Sequence, residues 1–264
     1  MRFSFIGPLL VAALGAVSGA AWGQISDDTP HSFVGEPSNT GSSWQLSVSP
    51  YLWMAGIQGT SGQFNLPAAE MSSNFGQIFN ELDFAFMGIV EARRGPYSIV
   101  GDIAYTKTSL KNATPKGRLA DTVGVTSEAF SSLLAGAYTV YQSGPNHLDV
   151  IAGARLWNVK SKLRFQGGTL DGISRRDSAT WVDVVAGLRG NYFLSEKVYL
   201  MGWGAIGAGQ ANLDWDVAAG FGYQLQKNLS LTAGYRMQGV DYSKDGFVFD
   251  VIQKGPILGL TYRF

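Results

Sequence analysis

The 264-residue chain has no cysteine and only two histidines. Without cysteine there is no disulfide framework, no thiolate-ligated metal and no thiol to acylate at a cleavage site. Charge is also scarce. Asp, Glu, Lys and Arg make up 15% of the chain and cancel to a formal net charge of zero, where an ordinary soluble domain carries about a quarter charged residues. That balance lacks the basic footprint of a nucleic-acid binder. Long apolar runs are missing too. The stretch from Ile6 to Val17 is shorter than the roughly 20 residues of a spanning helix, and Gly7, Pro8 and Gly15 weaken it further. What remains is plentiful glycine and an aromatic set of 7 Trp, 11 Tyr and 15 Phe. An exported chain of this kind, without a spanning helix, has one other lipid-compatible form. It is a closed β-barrel, in which every backbone group is paired between strands.

Export is read from the amino terminus. Met1 and Arg2 precede the apolar run, and small residues follow it, with Ala21 and Gly23 at positions −3 and −1 of a cleavage after Gly23. Residues 1–23 are expected to be a cleaved secretory signal peptide. Residues 24–43 are rich in Asp, Pro, Ser, Gly and Asn and read as a flexible periplasmic leader. Residues 44–264 then form one all-β domain.

The alternation is plainest at the end of the chain. Phe264, Tyr262, Leu260, Leu258 and Pro256 fall on one face, and Arg263, Thr261, Gly259, Ile257, Gly255 and Gln253 on the other. A period of two marks a strand with a different solvent on each face. Strand-like segments are read at 44–58, 84–94, 97–110, 124–141, 147–164, 177–193, 197–211, 215–225, 229–242 and 247–264. Tight turns at Gly95-Pro96, Ser143 to Asn146, Leu194 to Glu196 and Gln226 to Asn228 alternate with connections that are mostly longer. Short turns at one end and longer loops at the other are expected of a transmembrane antiparallel up-and-down β-barrel, here of about ten strands. Twelve strands would require splitting 59–83, with Gln63 to Pro67 extended. The preferred reading makes Met71 to Leu82 a short helix or folded loop. Eight would require fusing 197–225.

Parity then sorts the charges. Glu91, Asp102, Asp149, Asp183 and Asp216 fall on inward faces, as do Arg93, Arg155, Arg189, Arg236 and Arg263. An arginine facing lipid at mid-depth costs about 2–4 kcal/mol, so these ten side chains are expected to form an interior charge network. Two readings stand: a salt-bridge network that fills the lumen, or the charged lining of a narrow pore. Trp157 and Tyr51, also inward, favour the filled lumen. The strand 197–211 does not sort, because Trp203 and Leu200 fall on opposite faces.

Other cations gather at the presumed extracellular end. Lys107 and Lys111 share the outward parity of Tyr105, and Lys160, Lys162 and Arg164 that of Leu156. Lys116, Arg118, Arg175 and Arg176 are read in the neighbouring loops. These side chains are expected either to contact lipopolysaccharide phosphates or simply to solvate the strand ends. No catalytic constellation is legible. His31 falls in the leader and His147 at a turn, neither with a Ser/Asp signature. No metal site, cofactor site or nucleotide loop is read.

The Gly259, Tyr262, Phe264 spacing resembles the C-terminal assembly signal of bacterial outer-membrane barrels, which the barrel assembly machinery reads. Ile257 departs from the polar residue usual two positions before that glycine. The whole domain resembles the small outer-membrane β-barrels, a group that includes outer-membrane protein A- and W-like barrels. Pro50-Tyr51-Leu52-Trp53, Leu82 to Met87 and Asp245-Gly246-Phe247 look like segments of a proteobacterial barrel family without an assigned activity. The resemblance implies a Gram-negative outer-membrane protein in contact with lipid and lipopolysaccharide. Its expected role is structural or interactive and non-enzymatic. A narrow solute channel and a lipid-modifying enzyme are the alternatives. No peptidoglycan-binding domain is expected after Phe264.

Overall fold

The computed structural model describes residues 43–64, 66–113 and 120–264. The signal peptide, the leader apart from Ser43, and Lys116 and Arg118 lie outside the described residues. Twelve strands share one antiparallel sheet. They are Gln45–Trp53 (β1), Gly56–Gly62 (β2), Ala69–Ser73 (β3), Leu82–Arg94 (β4), Tyr97–Ala113 (β5), Thr122–Ser143 (β6), Asn146–Gln166 (β7), Ser174–Phe193 (β8), Val198–Gly209 (β9), Leu213–Gln226 (β10), Leu229–Lys244 (β11) and Phe247–Arg263 (β12). β1 pairs with β4 on one side and with β12 on the other. This closes a ring of ten strands, β1 and β4 to β12, each beside its neighbour in sequence. Closure joins the first and last strands of this ring, while β3, paired only with β2, stays an edge.

The faces are those of a barrel turned inside out. On β10, Val217, Phe221 and Tyr223 are exposed, while Asp214 and Asp216 are buried. On β8, Val182, Val184 and Leu188 are exposed, while Asp183 is buried. Apolar outside and polar inside is the arrangement that lipid selects. Tyr97, Tyr138, Tyr141, Tyr192, Tyr223, Tyr262 and Phe264 form an exposed aromatic girdle at one end.

That end carries the tight turns and is called the turn end. Gly95 and Gly144 hold φ of 57° and 58°, a left-handed conformation that glycine enters without a Cβ clash. The chain enters the barrel here at Ser43 and finishes here. The Phe264 backbone N–H donates to the Leu46 carbonyl at 2.8 Å, tying the last residue to β1.

The opposite, loop end differs from expectation in three ways. First, the strand read as 44–58 is broken. β1 ends at Trp53, and β2 resumes at Gly56 alongside the other half of β12. At the break, the Met54 carbonyl comes so near Gly255 that a Cβ there would lie 2.0 Å from it. Second, 59–83 contributes to β2, then β3, then a six-residue helix, Phe75–Asn80 (α1). Gln63, Phe64, Leu66 and Pro67 lie between β2 and β3 and in neither strand, with Asn65 outside the described residues. The helix falls inside the expected Met71 to Leu82. It starts at a reciprocal cap, in which Asn74 accepts from the Gln77 N–H and Gln77 from the Asn74 N–H, each at 3.0 Å. Its Ile78 is fully buried in the cluster that holds Trp53 and Met87. Third, the strands are longer and the loops shorter than read. β6 has 22 residues and β7 has 21, about twice the 9–11 that cross a bilayer core. Arg175 and Arg176 accordingly sit in β8, not in a loop.

The β1–β4 ladder stops at Pro50 opposite Gly88. Proline has no N–H to continue it. Beyond that pair, Tyr51 to Trp53 stay with β12, and Phe84 to Met87 stay with β5.

Candidate functional site in the barrel interior

The interior is built in three layers, each an outcome of the period-two alternation. In the layer nearest the turn end, Arg93 donates through Nη2 to Asp149 Oδ2 at 2.5 Å and through Nη1 to the Thr139 hydroxyl at 2.8 Å. Thr139 in turn donates to Asp149 Oδ1 at 2.7 Å. Arg189 reaches Asp149 through Nε at 3.2 Å and also pairs with Glu91, which accepts from Arg93 Nε at 3.1 Å. Two guanidiniums and two carboxylates thus form a neutral cluster. Arg93 and Arg189 remain 22% and 18% exposed, so water reaches this layer.

The middle layer is drier, with Arg155, Arg236, Asp214 and Asp216 at most 2% exposed and Asp102 12% exposed. Arg236, 2% exposed, donates to Asp216 through Nε (3.0 Å) and Nη2 (2.6 Å), and to Asp102 Oδ2 at 2.8 Å. Its Nη1 donates to the Tyr51 hydroxyl at 2.8 Å, and that hydroxyl donates to Asp102 Oδ1 at 2.8 Å. The Trp53 and Trp203 rings lie 4.9 and 5.4 Å from the guanidinium carbon, within cation–π range. Arg155 bridges Asp214 at 2.7 Å and Asp216 at 2.9 Å. Trp157 and Trp203 point their indole N–H groups at Asp214 and Asp216, at 2.8 and 3.0 Å. Every buried guanidinium therefore has carboxylate partners, as burial of such a charge demands.

Beyond this layer the lumen is aromatic. Trp181 stacks on Tyr242 with centroids 4.2 Å apart, and Trp157 and Phe249 pack beside them. Toward the turn end, a cavity of about 1010 Å³ opens outward. Its lining includes Glu91, Arg93, Tyr199, Trp203 and Arg263, and its walls reach Arg236. The cavity extends past the turn-end layer to the near side of the middle one, at Tyr51, Trp203 and Arg236.

Eight of the ten expected interior charges thus meet in ion pairs: Glu91, Arg93, Asp149 and Arg189 in one layer, Asp102, Arg155, Asp216 and Arg236 in the next. Two differ. Asp183 is fully buried, yet it accepts from the Ala211 N–H at 2.8 Å and has no ion-pair partner among the described residues. Arg263 faces the cavity and donates to the Gln224 amide at 3.3 Å. Asp214 lies in β10, although 212–214 falls between the strand-like segments 197–211 and 215–225 of the sequence. It sits two residues before Asp216 on the same face, so extending the strand by one step of the alternation finds it. Trp203 and Leu200 do fall on opposite faces, and β9 is regular. Leu200 is exposed, and Trp203 is an interior donor.

The other candidate residues lie on the wall. Lys107, Lys111, Lys160, Lys162 and Arg164 occupy the outer face of β5 and β7 toward the loop end. Tyr262 and Phe264 are exposed at the turn end with rings 4.8 Å apart, and Gly259 faces Tyr51 across the β1–β12 ladder.

No family model and no curated protein matches this chain. Solved structures do. The outer membrane protease OmpT from Escherichia coli is similar over 85% of this chain and 98% of its own, at 13% identity and a TM-score of 0.51. A major outer membrane protein from Thermus thermophilus is similar over 84% of this chain and 99% of its own, at 15% identity and a TM-score of 0.39. For Ail of Yersinia pestis the values are 84%, 98%, 14% and 0.36. At such identities the likeness is one of fold. It is that of the outer-membrane β-barrels.

Proposed function

We propose that the protein spans the outer membrane of a Gram-negative cell as a sealed barrel with a structural or interaction role in the envelope. Its signal peptide is cleaved after Gly23, its turn end faces the periplasm, and its loop end faces outward. The observation that carries this reading is the cross-lumen layer of Arg236, Asp216, Asp102 and Tyr51. It spans from β11 to β10, β5 and β1, with the aromatic layer stacked on its far side. Ions crossing would have to break paired charges that have little water to replace them.

The reading is non-catalytic. His147 stands 3.9 Å from Asp149, but that carboxylate is already held by Arg93, Arg189 and Thr139. It is not free to orient a histidine base. The turn-end cavity favours the channel alternative, since it already reaches halfway through the lumen.

Single-channel recording in planar bilayers decides between the two. The expected result is no steady conductance for the wild type. Large, steady, ion-selective currents would reject the sealed barrel and establish the channel.

A further inference from the structure

On the outer face of β7, Leu148, Val150, Ala152, Ala154 and Leu156 give way to Asn158, Lys160, Lys162 and Arg164. The strand registers carry this change across the wall. Lys160 lies opposite Glu128 on β6, and Glu128 lies opposite Lys107 on β5. Lys162 faces Thr126 on one side and Arg176 of β8 on the other. Arg164 faces Gly124, which faces Lys111. Neighbouring strands are about 5 Å apart and two residues rise about 7 Å, so these side chains share a field roughly 14 Å on a side. It holds six cations and one acid, Glu128, and a second acid borders it: Asp83 of β4 accepts from the Ser109 hydroxyl at 2.6 Å. Among its described residues the ion pair is Lys107–Glu128, at 4.0 Å.

Two features set this field apart from a rim that is charged only for solubility. Lys162 and Arg176 stand directly opposite each other on adjacent strands, a like-charge pairing that is unfavourable by itself. The signs are also unevenly distributed around the barrel, although Lys254 shares the outer parity of Asp250 on β12. On the outer face of the other side, Asp250 lies opposite Asp241, and opposite Thr60, which lies opposite Glu70. Solvation is served by either sign anywhere on the rim. Six cations gathered on four strands, just past the apolar band, match phosphates held at the height of the lipid head groups.

We propose that the outer face of β5 to β8 beyond the apolar band binds the phosphate groups of an anionic glycolipid of the outer leaflet. This rests on the reading of the chain as an outer-membrane barrel. Lysines and arginines of the field act as point and forked donors to phosphate oxygens. Arg176 belongs to the site although its position looks like a loop in the sequence.

The test uses the full mature chain in phosphatidylcholine nanodiscs doped with diphosphorylated lipid A, with lipid A retained per barrel read by mass spectrometry. The wild type should retain it. Lys160→Glu/Lys162→Glu/Arg176→Glu should retain it at least about tenfold less, equivalent to about 1.4 kcal/mol. The milder Lys160→Gln/Lys162→Gln pair should fall in between and serves if charge reversal prevents folding. Asp241→Asn/Asp250→Asn, on the opposite face, should match the wild type. Equal retention by the wild type and the neutralised pair overturns the proposal, as does equal retention of dephosphorylated lipid A. Insertion into undoped phosphatidylcholine vesicles is scored separately. A wild type that fails to insert takes down the membrane reading and the proposal together, whereas one that inserts without retaining lipid A takes down the proposal alone.

Discussion

Arg236 and Asp216 meet in a parallel two-point contact, Nε to Oδ1 at 3.0 Å and Nη2 to Oδ2 at 2.6 Å, with both side chains 2% exposed. The same guanidinium holds Asp102 and the Tyr51 hydroxyl. One side chain from β11 therefore ties β1, β5 and β10 together across the lumen. Arg189 also bridges two carboxylates, but in a layer that water reaches.

This contrast sets the first prediction. Arg236→Ala leaves the buried Asp216 with one fewer partner and the 12%-exposed Asp102 with no ion-pair partner among the described residues, and should destabilise the barrel by about 3–5 kcal/mol. Arg189→Ala should cost about 1–2 kcal/mol, because Asp149 keeps Arg93 and Thr139 and solvent screens what remains. Urea unfolding in lipid vesicles measures both. Equal midpoints for the two variants would show that the layers do not differ in dryness.

A second prediction concerns α1. Ile78 is fully buried in the loop-end cluster. Truncation to Ala should cost about 2–5 kcal/mol of local stability through the cavity it leaves. The loss should appear as faster amide exchange in α1, β2 and β3, while the β6–β7 ladder keeps its protection. Uniform acceleration over the whole barrel would mean that the helix is part of the global cooperative unit.

The third prediction concerns assembly. Phe264 ties β12 to β1 through its N–H and packs its ring on Tyr262. Deleting Phe264 should lower the folded fraction, scored as heat-modifiable gel mobility, far more than deleting the leader, residues 24–43. Similar folded fractions for the two deletions would remove Phe264 from any assembly role.

What could be read from the sequence was what alternation controls. Successive side chains point to opposite faces of a strand, so the inward placement of Asp216, Arg155 and Arg236 follows from residues two apart. So does the outward placement of Phe221 and Tyr262. Tertiary structure decided which inward groups pair. Asp183 and Arg155 are directly opposite in the β7–β8 register, yet Arg155 turns to Asp214 and Asp216 across the lumen. That choice depends on which strands face one another once the ring closes, a relationship with no local signature. The broken first strand has the same origin. β1 and β2 are one alternating segment to the eye, but the close approach of Met54 to Gly255 and the end of the β4 ladder at Pro50 belong to the closed ring. Local alternation thus assigned most strand side chains to lipid or lumen, whereas partner choice inside the lumen waited on strand order and register, which arise only when distant segments meet.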